Sequence, residues 1–155
     1  MKLQKQTLIA LLATLELARD PSRTLSAGEI AEQFGISVNH LAKVLRDLGR
    51  AGLVEAVRGV GGGYRFCGNA KRTSLYDVIH LFGDVVGDAD DLPGDMPTAA
   101  GATAIGGALV SVLRELDEIA IATFKSISLA TLIKSLERSR RRTTTGDTPP
   151  LAAAR

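Results

Sequence analysis

The residues whose types and spacing suit them to chemistry lie between positions 26 and 67. Asn39, Lys43, Arg46 and Arg50 recur at intervals of four, three and four, so a helix would align them on one face. An amide and three cations in a row are the groups that pair with base edges and phosphates in a DNA major groove. An ordinary solvated helix face carries the same residue types. Downstream, Arg58 opens the run Gly-Val-Gly-Gly-Gly to position 63, and Tyr64 and Arg65 follow. A loop with almost no side chains, flanked by two arginines, can approach a duplex closely and place an arginine in the minor groove. Asn39, His40 and Lys43 are the candidates for base edges. Ser26, Ser37, Arg46 and Arg50 are placed for phosphates, and Arg58 for the minor groove. Gly61, Gly62 and Gly63 permit close backbone approach, and Tyr64 is better read as an anchor of the loop than as a phosphate contact.

Stepping outward, these positions need two helices and a hairpin to hold them. Ser26 and Glu29 have the S-x-x-E form of a capping box, which opens a helix. Gly35 ends it, since glycine enters the left-handed conformation without steric cost. Ser37 caps a second helix whose apolar row is Leu41, Val44, Leu45 and Leu48. Gly52 closes that helix, and Leu53–Val57 and Tyr64–Cys67 read as two strands. A helix-turn-helix followed by a β-hairpin is the winged-helix arrangement. Before it, Leu3–Ala18 reads as a helix with Leu8, Leu11, Leu12 and Leu15 buried. After it, Ser74 and Asp77 cap a helix with Val78, Ile79, Leu81 and Phe82 inward, and His80 as a core or boundary residue rather than a ligand. From Thr103 to Phe124, Ile105, Leu109, Val112, Leu116 and Ile119 recur at four, three, four and three, the rhythm of a helix pairing with another helix. Burial against its own domain would use the same pattern. A short helix follows over Ser128–Leu136.

Other chemistry is poorly supported. The glycine loop lacks the last glycine of a dinucleotide fingerprint and the Lys-Ser/Thr of a phosphate loop, and no Ser/His/Asp or paired-carboxylate constellation stands at a catalytic spacing. The chain is therefore not expected to be an enzyme. Aspartates 84, 88, 90, 91 and 95 lack the spacing and closing glutamate of a calcium loop and read as a solvated acidic loop; no metal site is expected. Cys67 ends the second strand, either as a small packed hydrophobe or as a redox-sensing thiol.

The net charge of +2 over 155 residues hides a strong asymmetry. Residues 1–75 carry 11 Lys/Arg against 6 Asp/Glu, a net of +5; residues 76–137 carry 3 against 10, a net of −7; the remainder carries 5 against 1, a net of +4. A basic head beside an acidic middle suits a DNA-binding unit joined to a separate assembly or sensing region. A single cysteine excludes an intrachain disulfide framework and fits a reducing cytoplasm. The apolar run Leu8–Leu15 after Lys2 and Lys5 is interrupted by Thr14 and followed by Glu16, which speaks against a secretory signal. The uncharged stretch 96–113 is too rich in Gly, Ala and Thr to span a membrane.

The segments "IAEQFGISVNHLAKVLRDL", "GLVEAVRGVGGGYRF" and "SLYDVIHLFG" resemble the Rrf2 (IscR-like) family of winged helix-turn-helix transcription regulators. The likeness runs from "KLQKQTLIALLATLELA" to "ISLATLI", and the V-R-G-x-G-G-G-Y loop is its sharpest part. Val60 stands where the family commonly has proline. The resemblance implies a mainly α fold with a small β-hairpin and a long dimerisation helix. Together with the Gly/Asp/Pro-rich middle and the Thr/Pro/Arg-rich end, it gives an expected division into a winged domain over 1–82, a flexible loop over 83–102, the dimerisation helix and a short C-terminal helix over 103–136, and a disordered basic tail over 137–155. It implies that Ile105, Leu109, Val112, Leu116 and Ile119 form a dimer seam and that Lys2, Gln4 and Lys5 approach the DNA backbone. Cluster-binding relatives supply three cysteines from the 83–102 segment, and this chain has none there. The expectation is a cofactor-free, homodimeric repressor binding an inverted-repeat operator in double-stranded DNA. The alternatives are a thiol-based regulator acting through Cys67 and a winged module that contacts protein instead of DNA. Where relatives carry an acidic residue that selects operators, this chain has Ala42, so operator preference does not transfer.

Overall fold

The computed structural model describes residues 3–83 and 103–144. The acidic loop expected at 83–102 and the tail from 145 onward lie outside those residues, apart from Gly83. Among the described residues, six helices and one hairpin follow in order: α1 Lys5–Arg19, α2 Ala27–Phe34, α3 Val38–Arg50, β1 Val54–Val57, β2 Gly63–Phe66, α4 Leu75–His80, α5 Ala104–Ser126 and α6 Leu129–Thr144. The fold is mainly helical, with a two-stranded antiparallel wing.

Local sequence sets the helix-turn-helix. The Glu29 N–H donates to Ser26 Oγ at 3.1 Å, and the Ser26 N–H donates to Glu29 Oε2 at 2.7 Å, so two otherwise orphaned donors are satisfied. Gly35 adopts φ +63°, and Ile36 N–H donates to Ala31 O at 2.8 Å. That left-handed turn swings the chain directly into α3. Ser37 occupies the position before α3 but makes no capping bond with its side chain, contrary to expectation. Leu41, Val44, Leu45 and Leu48 are buried, which fastens one face of α3 and leaves the other to solvent.

The buried face of α1 differs from the leucine row. Ile9, Ala10, Ala13, Thr14, Leu17 and Ala18 are inside, whereas Leu8 and Leu12 are 47% and 40% exposed and Leu11 and Leu15 only partly covered. The reason is volume. α1 runs through the middle of the domain against α3, α4, β2 and α6, and the small alanine side chains let those neighbours approach closely. Leu81, also expected inside, is 42% exposed, while Val78, Ile79 and Phe82 are buried.

The winged domain is completed from the C-terminal side. Leu129 is fully buried in the same core and Ile133 packs against it. Leu75 N–H donates to Ile127 O, Leu129 N–H to Thr73 O and Ala130 N–H to Ala70 O, each at 2.9 Å. The boundary expected at residue 82 therefore does not close the domain, because its core needs a leucine from beyond α5. Helix α6 also continues to Thr144, past the expected start of an unstructured tail at 137. Helix α5 has no buried residue over its 23 positions.

Candidate nucleic-acid interface

The burial of its leucines leaves α3 presenting Asn39, His40, Lys43, Arg46 and Arg50, all exposed. The stripe is less uniformly cationic than residue types suggest. Asp47 Oδ1 lies 3.6 Å from Arg50 Nη1 and 3.9 Å from Arg46 Nε, a weak surface arrangement that sequence reasoning passed over. The three-residue spacing of Asp47 and Arg50 was the signal for it. Among the described residues, Lys43 makes no ion pair. Beside this face, Lys5, Gln6 and Ile9 of α1 meet His40, Lys43 and Val44 of α3 around a cleft of about 320 Å³. Of the three residues expected near the DNA backbone, Lys5 lines this cleft, Gln4 is exposed, and Lys2 lies outside the described residues.

The wing pairs Val54 with Phe66, Glu55 with Arg65, Ala56 with Tyr64 and Val57 with Gly63. Phe66 and Val54 turn into the core, so the alternate positions face out. There Arg65 Nε donates to Glu55 Oε1. The two arginines flanking the tip are thus unequal: Arg65 is held by a cross-strand carboxylate, whereas Arg58 is exposed and makes no ion pair among the described residues. Tyr64 fastens the hairpin to the segment before α2, its N–H donating to Leu25 O at 2.7 Å and its carbonyl accepting from Leu25 N–H at 2.9 Å. Its half-buried ring packs on the core.

The glycines of the tip act chiefly within the protein. A Cβ on Gly63 would sit 2.4 Å from Leu25 O, and one on Gly62 would sit 2.5 Å from Val57 O. Gly61 adopts φ +75° with open space around it. The close approach that demands Gly62 and Gly63 is the wing folding on itself and docking on Leu25, a physical reason different from the approach to DNA expected at both. Val60 at the tip is fully exposed.

Cys67 lies at the end of β2, and its thiol donates to Gly52 O at 3.3 Å. The residue is exposed, yet partial desolvation of its thiol pushes the pKa up and the Glu55 carboxylate adds to this, so the reactive thiolate is disfavoured. His80 is exposed rather than in the core. Its ring stacks on Tyr76 with centroids 5.2 Å apart, and Lys125 Nζ lies 4.7 Å from the centre of the Tyr76 ring. The end of α5 is thereby fastened to α4 by a cation–π contact. Farther along α5, Ile105, Leu109, Val112, Leu116 and Ile119 are all exposed, with Leu113 beside them. Leu113 was not part of the expected seam, because it falls one position off the strict alternation.

A family model described as Rrf2, iron-dependent transcriptional regulator, matches residues 3–135. The chain belongs to the Rrf2 family. It is 49% identical over 155 residues to a Rhodopseudomonas palustris protein designated HTH-type transcriptional regulator BadM, a match covering 100% of this chain and 94% of that protein. Among solved structures it is similar to T. potens IscR, with a TM-score of 0.70 at 25% identity over 90% of each chain. The oxidized form of Staphylococcus aureus CymR, at 24% identity, shares the fold with a TM-score of 0.66 over 86% of this chain and 96% of that one. This Rrf2 protein is accordingly a transcriptional regulator with a winged helix-turn-helix fold. Its donor set does not fit a thiolate-held iron cluster, which takes several cysteines. The chain's one thiol sits on the wing, bonded to Gly52 O. Among the described residues, no three His, Cys, Asp or Glu side chains converge as a metal site. Nor is any helix among them long and apolar enough to cross a membrane.

Proposed function

We propose that this Rrf2 protein is a homodimeric repressor that acts in the cytoplasm on an inverted-repeat operator in double-stranded DNA, without an iron–sulfur cluster. The observation that carries the reading is the exposed amide-and-cation face of α3, next to a wing whose tip arginine, Arg58, makes no ion pair among the described residues. Asn39, His40 and Lys43 read base edges, Ser26, Ser37, Arg46 and Arg50 hold phosphates, and Arg58 enters the minor groove. The unused hydroxyl of Ser37 supports its phosphate role, because no helix cap competes for it. Gly61, Gly62 and Tyr64 serve by shaping the wing.

The dimer reading rests on α5. A helix of 23 residues with six large apolar side chains 40% or more exposed leaves a patch that a soluble chain normally covers. Pairing Ile105, Leu109, Val112, Leu116 and Ile119 with the same residues of a second copy supplies that cover. A two-fold dimer then requires half-sites on one face of the duplex, roughly 10 bp or a multiple apart. The raised pKa of Cys67 favours this reading over a thiol switch, and Lys43 and Arg58, which make no ion pair among the described residues, favour DNA over a purely protein partner.

Selection of bound fragments from genomic DNA, followed by footprinting at about 0.15 M salt, tests the proposal. A protected palindrome is expected, with affinity falling steeply as salt rises. Retention of no fragment above background would reject it. Absorbance of anaerobically purified protein should show no visible band, and a thiolate-to-iron band would overturn the cluster-free part.

A further inference from the structure

We infer that the cleft between α1 and α3 binds a small organic anion with an apolar body, and that its occupant displaces DNA. The inference builds on the DNA-binding reading of α3. The floor of the cleft is Ile9 and Val44, and its rim carries Lys5, Lys43, His40 and Gln6. No carboxylate lines it, and among the described residues neither lysine is engaged in an ion pair. Two unneutralised ammonium groups exclude a cationic occupant. An inorganic anion would satisfy the rim but leave the apolar floor wet, and so would a phosphate of a passing DNA strand. A neutral hydrocarbon would cover the floor and gain nothing from the rim. A carboxylate or sulfonate on an apolar chain satisfies both, and about 320 Å³ falls at the small end of the range for such ligands. Because His40 and Lys43 belong to both surfaces, the anion and the duplex compete for the same side chains, which makes the cleft a site of negative coupling to DNA.

The test uses octanoate on the full-length protein, with acetate and octylammonium at matched ionic strength as controls. Amide and methyl NMR shifts should move saturably at Gln6, Ile9 and Val44 with octanoate alone, at an affinity on the order of 1 mM for a ligand of about ten heavy atoms. Octanoate at about 10 mM should then raise the apparent Kd for a selected DNA fragment about tenfold by mass action. Gln6→Phe fills the mouth from an exposed position and should abolish both responses while binding the fragment as the parent does; Gln6→Ala should retain both. Equal shifts with octylammonium, or shifts scattered over the surface, overturn the site. Localised binding with unchanged DNA affinity overturns the displacement. If no DNA is bound at all, the operator reading fails while the NMR arm still decides whether the cleft takes an anion.

Discussion

Replacing Gly63 with alanine tests whether the wing is set by its docking on Leu25. The new Cβ would lie 2.4 Å from Leu25 O, 2.6 Å from Leu25 C and 2.9 Å from Ser26 N. All three are backbone atoms that no rotamer change can move aside. Relief requires the hairpin to lift, which breaks the two Leu25–Tyr64 hydrogen bonds. Each is worth about 1 kcal/mol net, so about 2 kcal/mol should be lost. For a chain of this length that lowers Tm by roughly 4–8 °C. Gly61→Ala is the contrast: it meets no atom within 4 Å but must hold φ +75°, a backbone cost of about 1 kcal/mol and roughly half the shift. Circular dichroism melts at equal protein concentration, with hydrogen exchange at the Tyr64 amide, read both. Gly63→Ala should unprotect that amide and Gly61→Ala should not. A Gly63→Ala protein that melts within about 1 °C of the parent with Tyr64 still protected would refute the docking argument.

Other outcomes follow from the same geometry. Arg58→Ala should weaken operator binding by about 1–3 kcal/mol, and Arg65→Ala by less, because Glu55 already holds that guanidinium; fluorescence anisotropy at fixed salt compares them, and equal losses would remove the distinction. Leu116→Asp, at a side chain 55% exposed on α5, should leave a folded monomer by light scattering and circular dichroism; a persistent dimer would place the seam elsewhere. The Ser26 N–H, and then its hydroxyl, hold the Glu29 carboxyl below its ordinary pKa. Because the folded value is the lower one, the capping box stabilises above the ordinary carboxylate range, and its contribution is lost as pH falls through the folded value. Glu29→Gln should flatten that part of the acid limb in urea unfolding between about pH 6 and pH 3, and an unchanged limb would contradict the link. Cys67→Ser should leave the peroxide response of operator binding as it was, since desolvation and Glu55 disfavour the parent thiolate; loss of a response present in the parent would restore the thiol switch.

Signals confined to a few neighbouring residues were legible in the sequence. The Ser26–Glu29 and Ser74–Asp77 boxes, the Gly35 turn and the inward row of α3 follow from backbone hydrogen bonding and helical period alone, and the structure contains each one. The wing was legible because five residues with four glycines between Arg58 and Tyr64 leave a chain few options besides a tight reversal. The residues of the acidic loop, by contrast, fall outside the described segments.

What the sequence determined by itself was therefore the local set: which stretches are helices, where α2 and α3 stop, and that a basic amide-bearing stripe and an arginine-tipped hairpin follow one another. Tertiary packing decided the rest. It turned α1 by its alanines instead of its leucines and drew Leu129 back across the whole of α5 into the first domain's core. It also set Glu55 against Arg65 while Arg58 makes no ion pair among the described residues, and it gave Gly63 its reason in the backbone of Leu25. Each of those outcomes depends on which surfaces meet across long stretches of chain, and helical period or residue type carries no record of that.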